Sequence, residues 1–372
     1  MTDLFIAVDP GFDSMKVVAN GKVFKFPFNV VETDERKMTD YRLRPDFMLY
    51  QDNRGATYRV GQYAREILFD DKRAIDSFYT EQRFISDEFQ VGLNTAIALG
   101  IKKNGLYEQQ DDLRIHVIVA LPHACRNAYA PTITSSATEA HQFSLRCGQG
   151  ELMRFRYTIR DGDVYTVSQT IAAILGETSD DDGDLDEDKF YYLSNGPTLV
   201  LDGGYYTMGM VVVSCGGSVD ESKTESNTSF AMANVNALVA EELRSKRPDI
   251  HHYAVEYLLS KDEGTIRYME DGRAATIDLK KIREEKLAEV CSNLIGYLNQ
   301  KYDNLLDFRY VLATGGTGAS FYQQMLAHYK AANLLDAEHF MLTSGALYEK
   351  KYPIEFAIAV GAFKGLKGLA GE

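Results

Sequence analysis

Cysteine is scarce in this chain, and its spacing argues against two common kinds of site. The 372 residues include four cysteines, Cys125, Cys147, Cys215 and Cys291, which lie far apart and form no Cys-x-x-Cys pair. A zinc site needs closely spaced ligands, and a disulfide framework needs more cysteines in a shorter chain. We therefore expect reduced thiols in a cytoplasmic protein.

Long apolar runs and an excess of positive charge are also lacking. No stretch approaches the roughly 20 apolar residues of a membrane span. No basic region precedes the first apolar run, so we expect neither a membrane protein nor a signal peptide. The formal net charge is −14. Such a surface repels phosphate backbones, which argues against direct nucleic-acid binding and favours a basic partner.

The rest of the composition is that of a globular protein. Hydrophobic residues make up 45% of the chain and charged residues 25%. These fractions allow a sizeable core, and the length favours two domains or one large divided unit.

An internal repeat is the most informative feature of the sequence. An apolar strand, an Asp-x-Gly turn, a second strand and a glycine-containing hairpin occur near residues 4–28 and again near 197–219. Strand and helix patterns alternate after each copy. This order predicts an α/β protein with two duplicated lobes.

The lobe boundaries follow from the same pattern. Lobe I is predicted over 1–178, with 345–372 returning to it and 32–80 forming a small inserted subdomain. Lobe II is predicted over 190–344. Between them, residues 180–188 carry seven carboxylates. A solvated connection is the interpretation we favour over a calcium loop, because the terminal glutamate and flanking helices of a known loop type are missing.

The two Asp-x-Gly turns have a composition suited to phosphate binding. Glycine lets the backbone bend sharply, and successive N–H groups in such a turn form an anion-binding concavity. Asp9 and Asp202 can hold Mg²⁺ through water, and Lys16 can add a positive charge. The same triplet at Asp181-Asp182-Gly183 follows no apolar strand and is interpreted as an ordinary turn.

A third glycine-rich segment, Thr314-Gly315-Gly316-Thr317-Gly318, is predicted as a loop between a strand and a helix. Its exposed backbone could hold a ribose, a base or a phosphate at the helix N-terminus. It is not a Walker loop, because no Gly-Lys-Ser/Thr follows.

Taken in order, these motifs resemble the actin superfamily. The first turn has the spacing Asp9-x-Gly11-x4-Lys16, and 164–173 and 357–362 look like its two connecting helices, where small residues allow a close crossing. Residues 58–64 and 120–122 are similar to segments of ParM-like plasmid-segregation actins. The resemblance covers nearly the whole chain and implies the actin-like ATPase fold, with a nucleotide cleft between two lobes.

The resemblance also implies roles for individual residues. Asp9 and Asp202 would organise Mg²⁺, and Gln169 and Asp202 would be catalytic, with Gln169 orienting the attacking water. The implied nucleotide-binding residues are Asp9, Gly11, Phe12, Asp13, Ser14, Lys16, Gly203, Gly204, Thr207, Gly315, Gly316 and Thr317. The sequence departs from the family pattern at Phe12, where a small hydroxyl residue is usual and Ser14 could substitute, and at Tyr205, Tyr206 and Gly209.

The function implied by the resemblance is that of a nucleotide-dependent filament. ATP or GTP with Mg²⁺ would drive self-assembly, and hydrolysis would weaken the filament. The cargo would be plasmid DNA, reached through a basic DNA-binding adaptor protein and not by direct contact. The alternatives are a small-molecule, sugar-type kinase of the same fold, and an actin that positions organelles or sets cell shape.

Overall fold

The computed structural model describes residues 1–33, 45–65, 81–248, 250–260 and 264–371. Its contacts divide the chain into two units, which we describe separately. Unit 1 contains Met1–Phe190 and Ser344–Glu372, and unit 2 contains Tyr191–Thr343. No helix among these residues is long and apolar enough to cross a membrane.

The central sheet of unit 1 carries the first copy of the repeat. Its strands are β1 (Thr2–Pro10), β2 (Ser14–Ala19), β3 (Lys22–Pro27), β7 (Leu113–Leu121) and β10 (Val164–Ser168), in the order β10-β7-β1-β2-β3. β1 pairs antiparallel with β2 and parallel with β7. Asn20 and Gly21 both have positive φ, as a two-residue hairpin of this kind requires, so the predicted hairpin is confirmed.

A second sheet of unit 1 combines segments that are distant in sequence. Its order is β4-β6-β5-β8-β9, formed by β4 (Val30–Thr33), β5 (Met48–Asp52), β6 (Thr57–Val60), β8 (Ala140–Cys147) and β9 (Met153–Thr158). Of the inserted subdomain predicted over 32–80, residues 34–44 and 66–80 lie outside the described residues. The described part therefore shares a sheet with β8 and β9.

Helices lie between and after these strands along the chain. They are α1 (Asp87–Lys103), α2 (His123–Ala137), α3 (Gln169–Thr178), α4 (Glu187–Ser194), which contains the division between the units, and α9 (Ala357–Gly371). A Cβ on Gly361 would lie 1.7 Å from the carbonyl oxygen of Ala172, so glycine is required where α9 crosses α3. The small residues predicted at this crossing therefore have the expected role.

The acidic segment 180–188 is more than a solvated connection. Asp180 accepts hydrogen bonds from the backbone N–H groups of Asp182 and Asp184. A Cβ on Gly183 would lie 2.2 Å from the backbone nitrogen of Gly368, so this turn packs on α9. Lys364 donates to the carbonyl oxygen of Ser179, beside the end of α3. Charge composition alone does not indicate this packing, which depends on a glycine at positive φ.

Unit 2 repeats the central arrangement of unit 1. Its sheet has the order β13-β12-β11-β16-β17, formed by β11 (Thr198–Gly203), β12 (Met208–Val213), β13 (Glu225–Asn227), β16 (Tyr310–Thr314) and β17 (Phe340–Leu342). β11 pairs antiparallel with β12 and parallel with β16, as β1 does with β2 and β7. The predicted duplication is therefore visible in strand order and direction.

The other elements of unit 2 surround this sheet. The helices are α5 (Met232–Leu243), α6 (His252–Ser260), α7 (Leu279–Lys301) and α8 (Gly315–Ala331), and a separate hairpin is formed by β14 (Thr265–Glu270) and β15 (Arg273–Asp278). Helices and strands alternate after this copy of the repeat, as predicted, whereas the separate hairpin was not predicted. The short strands β18 (Ala346–Leu347) and β19 (Lys350–Lys351) return the chain to unit 1.

Candidate functional site

The first turn places a buried carboxylate at the end of β1. Asp9 is 1% exposed, and Lys16 lies directly opposite it on β2. The Lys16 Nζ is 3.2 Å from Oδ2 of Asp9, and the Gln169 Nε2 donates to Oδ1 at 2.7 Å. A buried carboxylate is stable only when it is paired and hydrogen-bonded, and these two side chains provide both kinds of contact.

Gly11 allows Lys16 to fold back over this turn. A Cβ at position 11 would lie 2.6 Å from Nζ of Lys16 and 3.1 Å from the carbonyl oxygen of Ser14. The Gly11 N–H donates to the carbonyl oxygen of Asp9 at 3.0 Å, which closes the turn. A larger residue here would displace the ammonium group from Asp9.

Gln169 reaches the turn because of where its helix starts. It is the first residue of α3, and the Ser168 side chain caps the helix by accepting a hydrogen bond from the N–H of Ile171. β10, which leads into α3, runs parallel to β7, and β7 runs parallel to β1. The carboxyl ends of parallel strands lie at one edge of a sheet, so the side chain that follows β10 reaches Asp9, near the end of β1.

Phe12 and Asp13 of the same turn contact two arginines that the sequence analysis missed. The Arg83 guanidinium carbon is 3.8 Å from the centroid of the Phe12 ring. Arg65 forms an ion pair with the carboxylate of Asp13. Neither arginine belongs to a motif, and both lie more than 50 residues from the turn, so no local signal identifies them. Ser14, the next residue, is buried at the start of β2.

The second turn packs against the start of α8. A Cβ on Gly203 would lie 2.1 Å from the backbone nitrogen of Gly318. Gly315 has φ +75°, and a Cβ there would lie 2.5 Å from the Gly203 carbonyl oxygen and 3.1 Å from Oδ1 of Asp202. The Thr317 hydroxyl donates to the carbonyl oxygen of Gly204 at 2.7 Å. Two segments more than 100 residues apart therefore form one structure.

The remaining residues of this turn complete its shape. The Gly204 N–H donates to the carbonyl oxygen of Thr207 at 2.8 Å, which closes the turn. Tyr205 and Tyr206 have ring centroids 5.4 Å apart. The Tyr206 ring is 6.4 Å from that of Tyr253 near the start of α6, a contact that the sequence analysis did not predict. Tyr205 and Tyr206 are two of the positions at which the sequence departs from the family pattern.

The prediction of a loop over residues 314–318 is wrong in one respect. Thr314 ends β16 and Gly315 already begins α8, so the five residues are a strand end and the first turn of a helix. The first N–H groups of a helix have no partner within the helix and carry partial positive charge. A Cβ on Gly316 would meet nothing within 4 Å, which leaves the backbone there open to a ligand.

The predicted site residues thus fall into two groups, one in each unit. Unit 1 brings together Asp9, Gly11, Phe12, Asp13, Ser14, Lys16 and Gln169. Unit 2 brings together Asp202, Gly203, Gly204, Thr207, Gly315, Gly316 and Thr317. Each group combines a carboxylate with a turn that contains glycine, a combination suited to a Mg²⁺-bound phosphate chain.

The donor set also suits Mg²⁺ in one particular way. Across the described ranges, no group of three or more His, Cys, Asp or Glu side chains could hold a metal ion by itself. Mg²⁺ in nucleotide sites keeps several waters and takes one or two carboxylates plus the phosphates. Asp9 in unit 1 and Asp202 in unit 2 are each a single carboxylate of the kind that such a site uses.

A sheet repeated in two units, each with an Asp-x-Gly turn, and two helices crossing at glycine define the actin-like fold. Solved structures have the same fold. A ParM from a 15-stranded Clostridium botulinum filament is 16% identical, with 99% of each chain covered and a TM-score of 0.68. The actin-like protein Alp7A is 14% identical, covering 98% of this chain and 96% of that one, with a TM-score of 0.67.

A third structure, of Bacillus thuringiensis ParM with AMPPNP, is 13% identical over 98% of each chain with a TM-score of 0.61. The predicted resemblance to ParM-like actins is therefore confirmed over nearly the whole chain, and at these identities it is a likeness of fold. No family model matches the sequence, and no curated protein matches it.

Proposed function

We propose that this protein is an actin-like ATPase that forms filaments with ATP or GTP and Mg²⁺ and moves plasmid DNA through a basic adaptor protein. The observation that carries the proposal is the buried Asp9, held by both Lys16 and Gln169 in the first turn. A positive charge, a side-chain amide and a turn closed at Gly11 around one carboxylate are groups suited to phosphoryl transfer.

Each group has a distinct task in the proposed reaction. Asp9 and Asp202 would hold the hydrated Mg²⁺, which neutralises charge on the phosphates. Lys16 adds a point charge, and the N–H groups at Gly203, Gly204 and the start of α8 add backbone donors. Because little covalent chemistry falls to the protein, positioning and charge neutralisation would account for most of the rate.

Gln169 is proposed to orient the attacking water. Its amide can donate and accept at the same time. The nitrogen already donates to Asp9, which fixes the side chain and leaves the carbonyl oxygen to accept from a water. This contact supports a role in hydrolysis more than in affinity.

Self-assembly and the adaptor are supported by different observations. The likeness of fold covers 99% of this chain and 99% of a ParM taken from a filament, which supports self-assembly. The net charge of −14 is unfavourable for direct contact with DNA and favourable for a basic adaptor.

The test combines assembly and turnover. We expect light scattering and sedimentation to rise with Mg²⁺-ATP or Mg²⁺-GTP above a critical concentration, to stay low without nucleotide, and to fall again as phosphate is released. Asp202→Ala should remove phosphate release. A protein that stays monomeric at high concentration with both nucleotides, or that phosphorylates a sugar, would overturn the filament proposal.

A further inference from the structure

Arg83 contacts the carbonyl side of the first turn. It is 3% exposed, and its Nη2 donates to the carbonyl oxygen of Pro10 at 2.6 Å. Its Nη1 donates to the carbonyl oxygen of Gly11 at 3.3 Å. One guanidinium group therefore bridges two consecutive carbonyls of the turn. A rigid planar fork is suited to this, whereas the single ammonium group of lysine is not.

Arg65 contacts the same turn further along. Its Nη2 donates to the carbonyl oxygen of Asp13 at 2.9 Å, and it pairs with the carboxylate of the same residue. Its Nε donates to Oδ1 of Asn29 at 3.1 Å, which fixes the guanidinium group in place. Together the two arginines contact the carbonyl oxygens of Pro10, Gly11 and Asp13.

Aromatic rings hold Arg83 in this position. Its guanidinium carbon is 3.8 Å from the ring centroid of Phe12, 4.7 Å from that of Phe84 and 5.3 Å from that of Phe28. Arginine stacks on aromatic faces through both the charge and the planar group. The aromatic residue at position 12, a departure from the family pattern, is thus one of the surfaces that orient Arg83.

These contacts fix the direction of the backbone N–H groups. In a trans peptide, the carbonyl oxygen of one residue and the N–H of the next point to opposite sides of the chain. Holding a carbonyl towards an arginine therefore turns the following N–H away from it. The N–H groups that follow the Gly11 and Asp13 carbonyls belong to Phe12 and Ser14, whereas the Gly11 N–H, which follows Pro10, closes the turn by donating to the Asp9 carbonyl oxygen. Preorganised donors bind an anion without a further cost of ordering.

We propose that Arg83 and Arg65 are positioning residues that hold the first turn in its phosphate-binding conformation, with Phe12 orienting Arg83. This role rests on the proposed binding of a nucleoside triphosphate. Neither arginine needs to touch the nucleotide. Their effect passes through the peptide planes between Pro10 and Ser14.

The experiment uses the full chain with Arg83→Gln, Arg83→Lys and Arg65→Gln. The matched control is Arg114→Gln, because Arg114 makes a two-point contact with the buried Asp163 in the same unit and no contact with the turn. Three quantities are measured: the Kd for Mg²⁺-ATP, the Tm without nucleotide, and the amide hydrogen exchange of the peptide covering residues 9–16.

We expect Arg83→Gln and Arg65→Gln to weaken Mg²⁺-ATP binding about tenfold or more, as the loss of charged hydrogen bonds predicts. Arg83→Lys should recover part of the affinity, because an ammonium group reaches one carbonyl but cannot bridge two or stack. Exchange should rise at residues 9–16 in these variants. Arg114→Gln should lower the Tm and leave both affinity and exchange at 9–16 unchanged.

The outcomes separate the two proposals. If the parent binds nucleotide and the arginine variants bind it equally well, with normal exchange at 9–16, the positioning role is wrong. If the parent binds neither ATP nor GTP, the proposed function fails and this role fails with it. Should Arg83→Gln not fold, Arg83→Lys and Arg65→Gln still decide the question, since each keeps one of the two arginine contacts.

Discussion

Gly203→Ala is the sharpest perturbation of the candidate site. The added methyl carbon would lie 2.1 Å from the backbone nitrogen of Gly318 and 2.8 Å from its Cα. Ordinary contact begins at roughly 3.5 Å, so the turn and the start of α8 must separate by more than about 1 Å. Backbone atoms cannot rotate out of the way as a flexible side chain can.

Two magnitudes follow from this displacement. Overpacking of this kind costs about 1–3 kcal/mol of stability. A misplacement of about 1 Å in a positioned group can cost roughly a hundredfold in rate. We therefore expect Gly203→Ala to lower the Tm by several degrees and to reduce phosphate release from Mg²⁺-ATP by about a hundredfold, because the turn and Thr317 no longer meet.

Gly296→Ala is the matched control. Gly296 lies within α7, and a Cβ there would meet nothing within 4 Å. Alanine is favoured over glycine in a helix by roughly 0.5–1 kcal/mol, so this variant should be slightly more stable and should release phosphate normally. Thermal unfolding and phosphate release are measured for both. A Gly203→Ala protein with the parent's Tm and turnover would refute the proposed packing of the second turn on α8.

Two further predictions concern unit 1. Gln169→Ala should leave the Kd for Mg²⁺-ATP nearly unchanged and slow hydrolysis by roughly ten- to a thousandfold, because a water-positioning group acts mainly in the transition state. Gln142→Ala, at an exposed position, is the control and should hydrolyse ATP normally. Normal turnover in Gln169→Ala would remove Gln169 from the catalytic residues. Burial would raise the pKa of Asp163, but the hydrogen bonds from Arg114 lower it below the usual range. A carboxyl group whose pKa is lower in the folded state stabilises the fold at pH values above its unfolded pKa. The difference in the free energy of unfolding between the parent and Asp163→Asn should therefore be largest near pH 7 and shrink as the pH falls below about 4. Urea unfolding at several pH values measures this, and a loss independent of pH would contradict it.

The sequence predicted the features that depend on neighbouring residues. The Asn20-Gly21 hairpin follows from the positive φ that these two residues tolerate. The strands before Asp9 and Asp202 follow from local runs of apolar residues, and the helices of unit 2 from their period. Repetition of these local patterns predicted two duplicated lobes. The resemblance to the actin superfamily came from the order and spacing of the glycine-containing turns and of the two connecting helices.

Contacts between distant segments were predicted only where the family pattern supplied them. Gln169 was predicted to be catalytic from its position in the resemblance to the actin superfamily. Its hydrogen bond to Asp9 depends on the parallel pairing of β10, β7 and β1. The loop predicted at 314–318 is a strand end and the start of a helix, because the packing of Gly315 on Gly203 decides where the helix begins.

Arg65 and Arg83 show most clearly which contacts the sequence alone does not predict. An arginine in a polar or mixed segment has no local pattern that distinguishes a surface residue from one buried under a turn. Only the tertiary structure brings them to the carbonyl oxygens of Pro10, Gly11 and Asp13 and places Phe12 against Arg83. Local propensity and periodicity therefore determined the elements and their repetition. Long-range packing decided which side chains meet at the site, because such contacts depend on how strands from distant parts of the chain pair.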